Sequence, residues 1–457
     1  MMTLSRSTIS SPLVGRGQGE TTPLPVAQLI LSMHCDQPMT APSRHVLTGL
    51  DEIRFGRGPT RVQRDPTARR LTLNIPDPRM SADHGRLVRL GMAWAIDDTT
   101  SKNGCALNGN PVRQGMLEDG DLLELGHTMF VFRVAPAPAG PLDVTADQLT
   151  ASGADLATFS AELAAQFARL VNVAGSDVPV LILGETGTDK EPIARALHAH
   201  SGRSGPFVTV NCGALPESLA EHALFGTRRD ASAGAGADPL GLVRSAERGT
   251  LFFDEIAELR ASSQATFLRV LANHQVMPAG DPRAPWVDVR ICAATHRPPE
   301  DLVDSGGFRR DLYTHLFEVT IELLPLRRRV EDLGLLVRTL LARRPGGEHA
   351  QFTPAAARML HRHNWPYNMR QLERALAPAV TLAVGRPIDL ADLPLGRARS
   401  PTRTEIEDDD ALRGRLVSLL ELHRGNIAAV ARAFDKDRMQ IHRWVRRFGL
   451  DLETFRR

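Results

Sequence analysis

The stretch VPVLILGETGTDKE, residues 178–191, decides the fold of the central part of this chain. An apolar run ends there in a turn that carries Gly184 and Gly187, and a helical pattern follows from Lys190. A buried strand, a glycine-containing turn and a helix form the setting in which backbone N–H groups bind phosphate. The stretch therefore predicts an α/β domain with a phosphate-binding loop.

Strands and helices continue to alternate after this loop. The apolar runs GTLFFDE (249–255) and VRICAAT (289–295) are typical of buried strands, and the alternation predicts a parallel sheet. The first run ends in Asp254 and Glu255, two carboxylates suited to holding Mg²⁺ and activating water. The candidate chemistry is thus predicted at the end of a central strand.

An ordered set of motifs indicates the type of domain. After the loop and GTLFFDE, the chain carries VRICAATHR (289–297), GGFRRDLYTHL (306–316), LPLRRRVEDL (324–333) and NWPYNMRQLERAL (364–376). Together they resemble the AAA+ domain of sigma-54-dependent transcription activators, with an α/β part over 149–325 and a helical lid over 326–393. The resemblance implies a hexameric or heptameric ring with ATP between subunits and a surface loop that acts on sigma-54 RNA polymerase.

The same resemblance assigns roles to single residues, with ATP and Mg²⁺ as cofactors. Asp254 would hold the metal ion, and Glu255 would activate water. Arg309 would be an arginine finger that reaches the nucleotide of a neighbouring subunit, and Arg370 would be the sensor arginine of the lid. Lys190 would bind phosphate within a loop made of Gly184, Glu185, Thr186, Gly187, Thr188, Asp189, Lys190 and Glu191.

One residue of the loop departs from the family pattern. Asp189 stands where the family has glycine, whose lack of a side chain lets backbone N–H groups approach phosphate closely. A carboxylate about 4 Å from a phosphate charge adds roughly 4 kcal/mol of repulsion at an effective dielectric of about 20, or about a thousandfold in affinity. Asp189 therefore predicts weak or lost nucleotide binding.

Further positions differ in the same direction. DASAGA (230–235) stands in place of the family's GAFTGA, and without an aromatic anchor this loop has little with which to bind sigma-54. His296 replaces the sensor asparagine, His315 a second arginine and Tyr367 a glycine. We therefore predict impaired ATP hydrolysis and impaired sigma-54 contact, which leaves enzymatic activity open. The retained carboxylate pair supports the alternative, a functional ATP-hydrolysing activator with a divergent loop.

The N-terminal part has a different pattern. Residues 28–135 carry short strand patterns separated by turn signals, which predicts a β-sandwich. Three motifs occur in it, FGRG (55–58), SADH (81–84) and SKNGCALNG (101–109). In this order they resemble the forkhead-associated (FHA) domain. The alternative is a sandwich whose Asn-Gly turns are only hairpins.

The FHA resemblance implies a phosphothreonine site. Arg57 and Ser81 would contact the phosphate, and Asn103 would hold the peptide backbone. A phosphate with nearly two negative charges is bound well by a fixed arginine together with hydroxyl and amide donors. The implied partner is a phosphothreonine-bearing protein or a Ser/Thr kinase.

The C-terminal residues 411–457 show three apolar helical runs, with breaks at RGN and FDKD. The arrangement resembles the Fis-type helix-turn-helix, in which the third helix enters the major groove of DNA. The alternative is a three-helix lid without DNA contact, which would show similar apolar periodicity. The resemblance implies a promoter or enhancer site as partner and predicts as DNA-contacting residues Arg438, Gln440, His442, Arg443, Arg446 and Arg447.

Composition limits the remaining possibilities. The net charge of +2 gives no field over the whole molecule that would attract nucleic acid, and the four cysteines form no CxxC pair. The apolar runs are shorter than the about 18 residues that span a bilayer, so we expect a cytoplasmic protein without membrane contact. A flexible tail (1–27) and two linkers (136–148 and 394–410) complete the predicted domain order.

The sequence as a whole predicts a multidomain chain with an FHA-like β-sandwich, an α/β AAA+ domain with its helical lid, and an all-α helix-turn-helix. The predicted function is DNA-binding regulation of the sigma-54 activator type, coupled to Ser/Thr kinase signalling. The central domain would then serve as an oligomerisation scaffold. It would form a dimer, a ring of identical copies of this chain, or a mixed ring with an intact relative.

Overall fold

The computed structural model describes residues 24–98, 101–150, 153–215, 220–226, 241–273, 275–276, 286–304, 306–316, 318–383 and 385–395, and in the C-terminal part 416–417, 419–421, 423, 425–434, 441, 445, 450 and 455. The described residues up to Pro394 form one compact unit, and those from Leu395 onward form a second. In these ranges, no helix is long and apolar enough to cross a membrane.

The N-terminal domain is a β-sandwich, as predicted. Its strands are β1 (Pro25–His34), β2 (Ser43–Val46), β3 (Glu52–Arg57), β4 (Arg61–Asp65), β5 (Arg70–Ile75), β6 (Gly85–Leu90), β7 (Ala93–Asp97), β8 (Cys105–Leu107), β9 (Asn110–Val112), β10 (Gln114–Leu117), β11 (Leu122–Leu125), β12 (Thr128–Pro136) and β13 (Asp143–Thr145). One sheet has the order β13-β2-β1-β12-β11-β8-β9 and the other β10-β7-β6-β3-β5-β4. Alternate residues of β5 are buried, which is the pattern of a strand with one face on the core.

Two aromatic rings join the sheets of the sandwich. Phe55 of β3 and Phe130 of β12 meet edge to face with ring centroids 5.2 Å apart. The structure corrects the predicted linker at 136–148, because β13 in this segment pairs with β2 and Val144 is buried. Strand β13 extends the edge of the sheet and buries the apolar Val144, so this segment belongs to the sandwich.

In its described residues, the central domain has a sheet of five parallel strands, β14 (Val180–Leu183), β15 (Phe207–Asn211), β16 (Thr250–Asp254), β17 (Arg290–Thr295) and β18 (Val319–Glu322). Their order is β15-β16-β17-β14-β18. The described helices in this part are α1 (Ala146–Thr150), α2 (Ala161–Ala174), α3 (Lys190–His200), α4 (Ala220–Phe225), α5 (Leu242–Ser245), α6 (Ala261–Asn273), α7 (Pro299–Asp304) and α8 (Arg310–Leu316). Parallel strands present their carboxyl ends at one edge, where ligands of such sheets bind.

The lid follows as three helices, α9 (Leu333–Ala342), α10 (Pro354–Arg362) and α11 (Asn368–Leu382). Helix α10 begins at Pro354 because Thr353 caps it, with the hydroxyl accepting a hydrogen bond from the Ala356 N–H. Trp365, between α10 and α11, is buried, and its indole N–H donates to the Leu360 carbonyl.

The C-terminal unit contains helix α12 (Ile427–Phe434). Its buried cluster consists of Leu416, Leu420, Val430, Ala431, Ile441 and Val445. The six residues predicted to contact DNA lie outside the described residues, as does DASAGA (230–235). The helix-turn-helix therefore stays a prediction.

Candidate nucleotide and phosphopeptide sites

The loop that the sequence predicts to bind phosphate lies between β14 and α3. Gly187 has a φ of +81°, and a Cβ at this position would lie 2.2 Å from the Tyr367 carbonyl oxygen. The Met369 N–H donates to the Gly187 carbonyl at 2.8 Å. Only glycine fits so close to the lid backbone with this conformation. The loop is thus packed directly against the start of α11.

A second set of contacts joins the loop to the lid. Arg327 donates two hydrogen bonds to the Glu185 carboxylate, at 2.8 and 2.5 Å, and these bonds lower the pKa of Glu185. Asn368 donates to the Thr186 carbonyl at 3.1 Å. Sequence reasoning named Glu185 and Thr186 and missed their partners, although Arg327 stands in the quoted motif LPLRRRVEDL and Asn368 in NWPYNMRQLERAL.

Lys190 lies inside the loop at the first turn of α3 and is 7 % exposed. Its ammonium donates to the carbonyls of Gly184 at 3.0 Å and Glu185 at 3.3 Å. The same Nζ lies 3.6 Å from Oε1 of Glu255. The structure therefore brings Lys190 and the end of β16 to one place.

Asp189 adopts a left-handed conformation with φ of +61°. This region favours glycine, although aspartate is among the residues that tolerate it. Burial raises the pKa of the Asp189 carboxyl, while Arg329, Arg343 and Arg370 lower it. Asp189 and two of these arginines, Arg329 and Arg343, line one cavity between the sheet and the lid. Asp189 directly precedes Lys190, the first residue of α3.

The predicted carboxylate pair stands at the end of β16. Burial and the neighbouring Glu255 raise the pKa of Asp254. His296 follows the end of β17, and its Nδ1 lies 2.7 Å from Oε2 of Glu255. Since Lys190 lies near the other oxygen, both carboxylate oxygens of Glu255 already have polar partners. The sequence identified His296 as a substitution, and the structure shows which residue it contacts.

The predicted arginines have different surroundings. Arg370 lies beside the loop, because a Cβ on Gly187 would come within 3.2 Å of the Arg370 Cβ. Arg309 is exposed and donates to Asp311 at 3.0 and 2.7 Å. His315 is also exposed, on α8. The structure thus places Arg370 beside the loop, while Arg309 lies on the surface, paired with Asp311.

Three loops meet at one end of the N-terminal sandwich. The Arg57 N–H donates to the Ser81 carbonyl at 2.8 Å, and the Lys102 N–H donates to the Ser81 hydroxyl at 3.2 Å. The Asn103 side-chain amide donates to the Arg79 carbonyl at 2.6 Å. The structure therefore brings together Arg57, Ser81 and Asn103, the three residues predicted to bind a phosphopeptide.

A buried histidine fixes the shape of these loops. Nδ1 of His84 accepts from the Ser81 N–H at 3.0 Å, and Nε2 donates to the Gly104 carbonyl at 3.2 Å. Burial lowers the pKa of His84, which favours the neutral ring that this donor and acceptor pair requires. The Ser81 hydroxyl oxygen accepts from the Lys102 N–H, and the Arg57 side chain is exposed.

Comparisons with known families assign these regions. Residues 156–322 match the model of the sigma-54 interaction domain, residues 327–408 that of the AAA+ ATPase lid domain, and residues 53–126 that of the FHA domain.

Two curated relatives illustrate the similarity. The acetoin catabolism regulatory protein of Cupriavidus necator is 38 % identical over 73 % of this chain and 52 % of the relative. The transcriptional regulatory protein ZraR of Salmonella typhimurium is 41 % identical over 58 % of this chain and 62 % of the relative. The chain thus spans between half and two thirds of the length of these relatives.

Among solved structures, NtrX from Brucella abortus in complex with ADP is 28 % identical, with a TM-score of 0.49 over 66 % of this chain and 70 % of that chain. The family matches and the curated relatives agree with the motifs and their order. The chain therefore carries a sigma-54 interaction domain with its AAA+ lid and an FHA domain, and the proteins it is similar to include transcriptional regulatory proteins.

Proposed function

We propose that this chain is a DNA-binding transcription regulator of the sigma-54 activator type that receives Ser/Thr kinase signals through its FHA domain. Its AAA+ module binds ATP weakly and hydrolyses it slowly. The observation that carries this proposal is Asp189, a carboxylate held at φ of +61° in the phosphate-binding loop. DNA contact and assembly into a dimer or ring rest on the sequence motifs.

The nucleotide site fits ATP with Mg²⁺ only in part. The buried Lys190 and the loop conformation at Gly187 suit phosphate, and Asp254 suits a hydrated Mg²⁺ ion. ATP would supply the phosphoanhydride bond that is cleaved. Asp189 opposes this fit, because its charge repels the phosphates that Lys190 attracts.

Glu255 is the residue that would accept a proton from water. Lys190 lies near one oxygen of this carboxylate and His296 near the other, so neither oxygen is free to take up a proton from water. This arrangement supports slow hydrolysis even where a nucleotide binds.

His296→Asn tests the second part of the proposal. In an Asp189→Gly background, we expect this substitution to raise the rate of ATP hydrolysis about tenfold or more, because freeing a general base restores part of a 10²–10⁴-fold contribution. The rate is measured by phosphate release at saturating ATP. The exposed His349 gives a matched control, and His349→Asn should change nothing. An unchanged rate in His296→Asn would show that the contact with Glu255 does not limit hydrolysis.

Phosphothreonine recognition is tested on the full chain. We expect it to bind a degenerate phosphothreonine peptide library and to ignore the same library with unmodified threonine. Arg57→Ala should lower the affinity about tenfold to a hundredfold, because a hydrogen bond to a charged group contributes roughly 1.5–3 kcal/mol. Arg89→Ala, at an exposed arginine that donates to the Gly91 carbonyl, is the control. Equal binding of both libraries would reject the FHA part of the proposal.

One observation supports a second candidate, a functional ATP-hydrolysing activator of sigma-54 promoters. Lys190 and Glu255 are close together, and Asp254 stands at the end of the same strand. Turnover by the native chain would favour this candidate. Asp189 and the His296 contact favour the first.

A further inference from the structure

The FHA domain contacts the lid where the backbones of β1 and α9 lie directly against each other. A Cβ on Gly334 of α9 would lie 1.7 Å from the Ser32 carbonyl oxygen of β1, so these two backbones are in direct contact. The Gly334 N–H donates to the Ser32 hydroxyl at 3.2 Å, and this hydroxyl donates to Nε2 of His361 at 2.9 Å. His361 in turn donates to the Ala357 carbonyl at 2.7 Å. All four polar groups have partners although the contact is buried.

A second contact involves charged groups. Arg358 of α10 donates two hydrogen bonds of 2.7 Å to Glu124 of β11, and Glu124 is only 5 % exposed. One turn later, Arg362 donates to the Asn108 carbonyl at 2.6 Å. Two parallel hydrogen bonds between an arginine and a carboxylate hold α10 to β11 and also fix their relative orientation. Asn108 follows directly on the short strand β8, which begins two residues after Asn103 of the phosphopeptide site.

The FHA domain also contacts the central domain. Arg44 of β2 donates to the Phe159 carbonyl at 3.3 Å, just before α2. Arg133 of β12 lies 3.4 Å from the buried carboxylate of Glu331, just before α9. The sandwich thus contacts the segment that leads into the central domain and the segment that leads into the lid.

These two segments border the cavity that Asp189 also lines. Asp155, Ala157 and Phe167 line it from the central domain. Its lid side is lined by Arg329 and by residues of α9, including Leu335, Leu336 and Thr339. Helix α9 therefore lies between the FHA domain and the cavity, with Gly334 against β1 and the next residue against the cavity.

We propose that the FHA domain is a brace that holds the lid at a fixed angle to the central domain. The brace consists of the Ser32 contact, the Glu124 contact and the Arg44 contact, and it joins both walls of this cavity. The lid is held at this angle only while the contacts to β1 and to β11 are both in place. This inference depends neither on phosphothreonine binding nor on the chemistry of Asp189.

The brace is tested by the distance between two spin labels on the full chain. The four native cysteines are buried, so labels go to cysteines introduced at the exposed positions Ala168 on α2 and Leu382 on α11. Pulsed electron resonance then gives the distribution of distances between the central domain and the lid. We expect one narrow distribution in the otherwise native chain.

Arg358→Ala should broaden this distribution, because it removes both bonds to Glu124. The charge reversal Glu124→Lys should do the same, and the pair Glu124→Lys with Arg358→Glu should restore the narrow distribution. Arg344→Ala is the matched control, since Arg344 pairs with Glu373 within the lid. The proposal is overturned if the distribution is already broad in the native chain, or if it stays narrow in Arg358→Ala and Glu124→Lys.

Discussion

Replacing Asp189 with glycine is expected to raise the affinity for ATP by about a thousandfold. The substitution removes a charge that costs roughly 4 kcal/mol about 4 Å from phosphate, and every 1.4 kcal/mol corresponds to about a tenfold change in affinity. It also places glycine where φ is +61°, a conformation that glycine adopts without strain. Isothermal titration of the full chain with ATP and Mg²⁺ measures the change.

The variant Asp189→Asn distinguishes the effect of the charge on ATP affinity from the effect of the backbone conformation. Asparagine keeps the shape of the side chain and tolerates a positive φ, so it should recover most of the gain if repulsion is the cause. If Asp189→Gly raises the ATP affinity and Asp189→Asn does not, the backbone conformation is the cause. Equal affinities in the native chain and in both variants would contradict the role given to Asp189.

Asp332→Ala is expected to destabilise the first compact unit by about 3–5 kcal/mol. The Asp332 carboxylate is buried and accepts hydrogen bonds from the Thr158 hydroxyl and the Phe159 N–H, both at 2.6 Å. Its removal leaves these donors, and the buried Arg329 beside them, without their anion. The free energy of unfolding is measured with denaturant.

Asp147→Ala provides the comparison for Asp332→Ala. Asp147 forms an exposed ion pair with Arg338 at 2.7 Å, and such pairs contribute at most about 1 kcal/mol. A similar small loss in both variants would show that the buried carboxylate does not hold the lid segment to the central domain.

The sequence predicts much of this architecture because the deciding signals are local. The apolar run before Gly184 and the carboxylates after β16 are read from neighbouring residues, and a parallel sheet follows from them. The phosphopeptide loops are equally local, since each of Arg57, Ser81 and Asn103 stands in a short motif.

The contacts that the sequence does not reveal join distant segments. His296 is recognisable as a substitution, but its bond to Glu255 depends on how β16 and β17 lie side by side. The sequence around Gly334 does not reveal its contact with Ser32. Glycine is needed at this position only because the two domains meet there. The linker predicted at 136–148 is wrong for the same reason, since β13 exists only where β2 offers a sheet edge.

The measurement that tests the central claim most directly is steady-state ATP hydrolysis by the full chain with Mg²⁺, at protein concentrations that allow rings to assemble. It is run beside the variant that carries Asp189→Gly and His296→Asn. We expect phosphate release near the background for the native chain and clear turnover for the double variant. Turnover by the native chain at the rate of the double variant would contradict it.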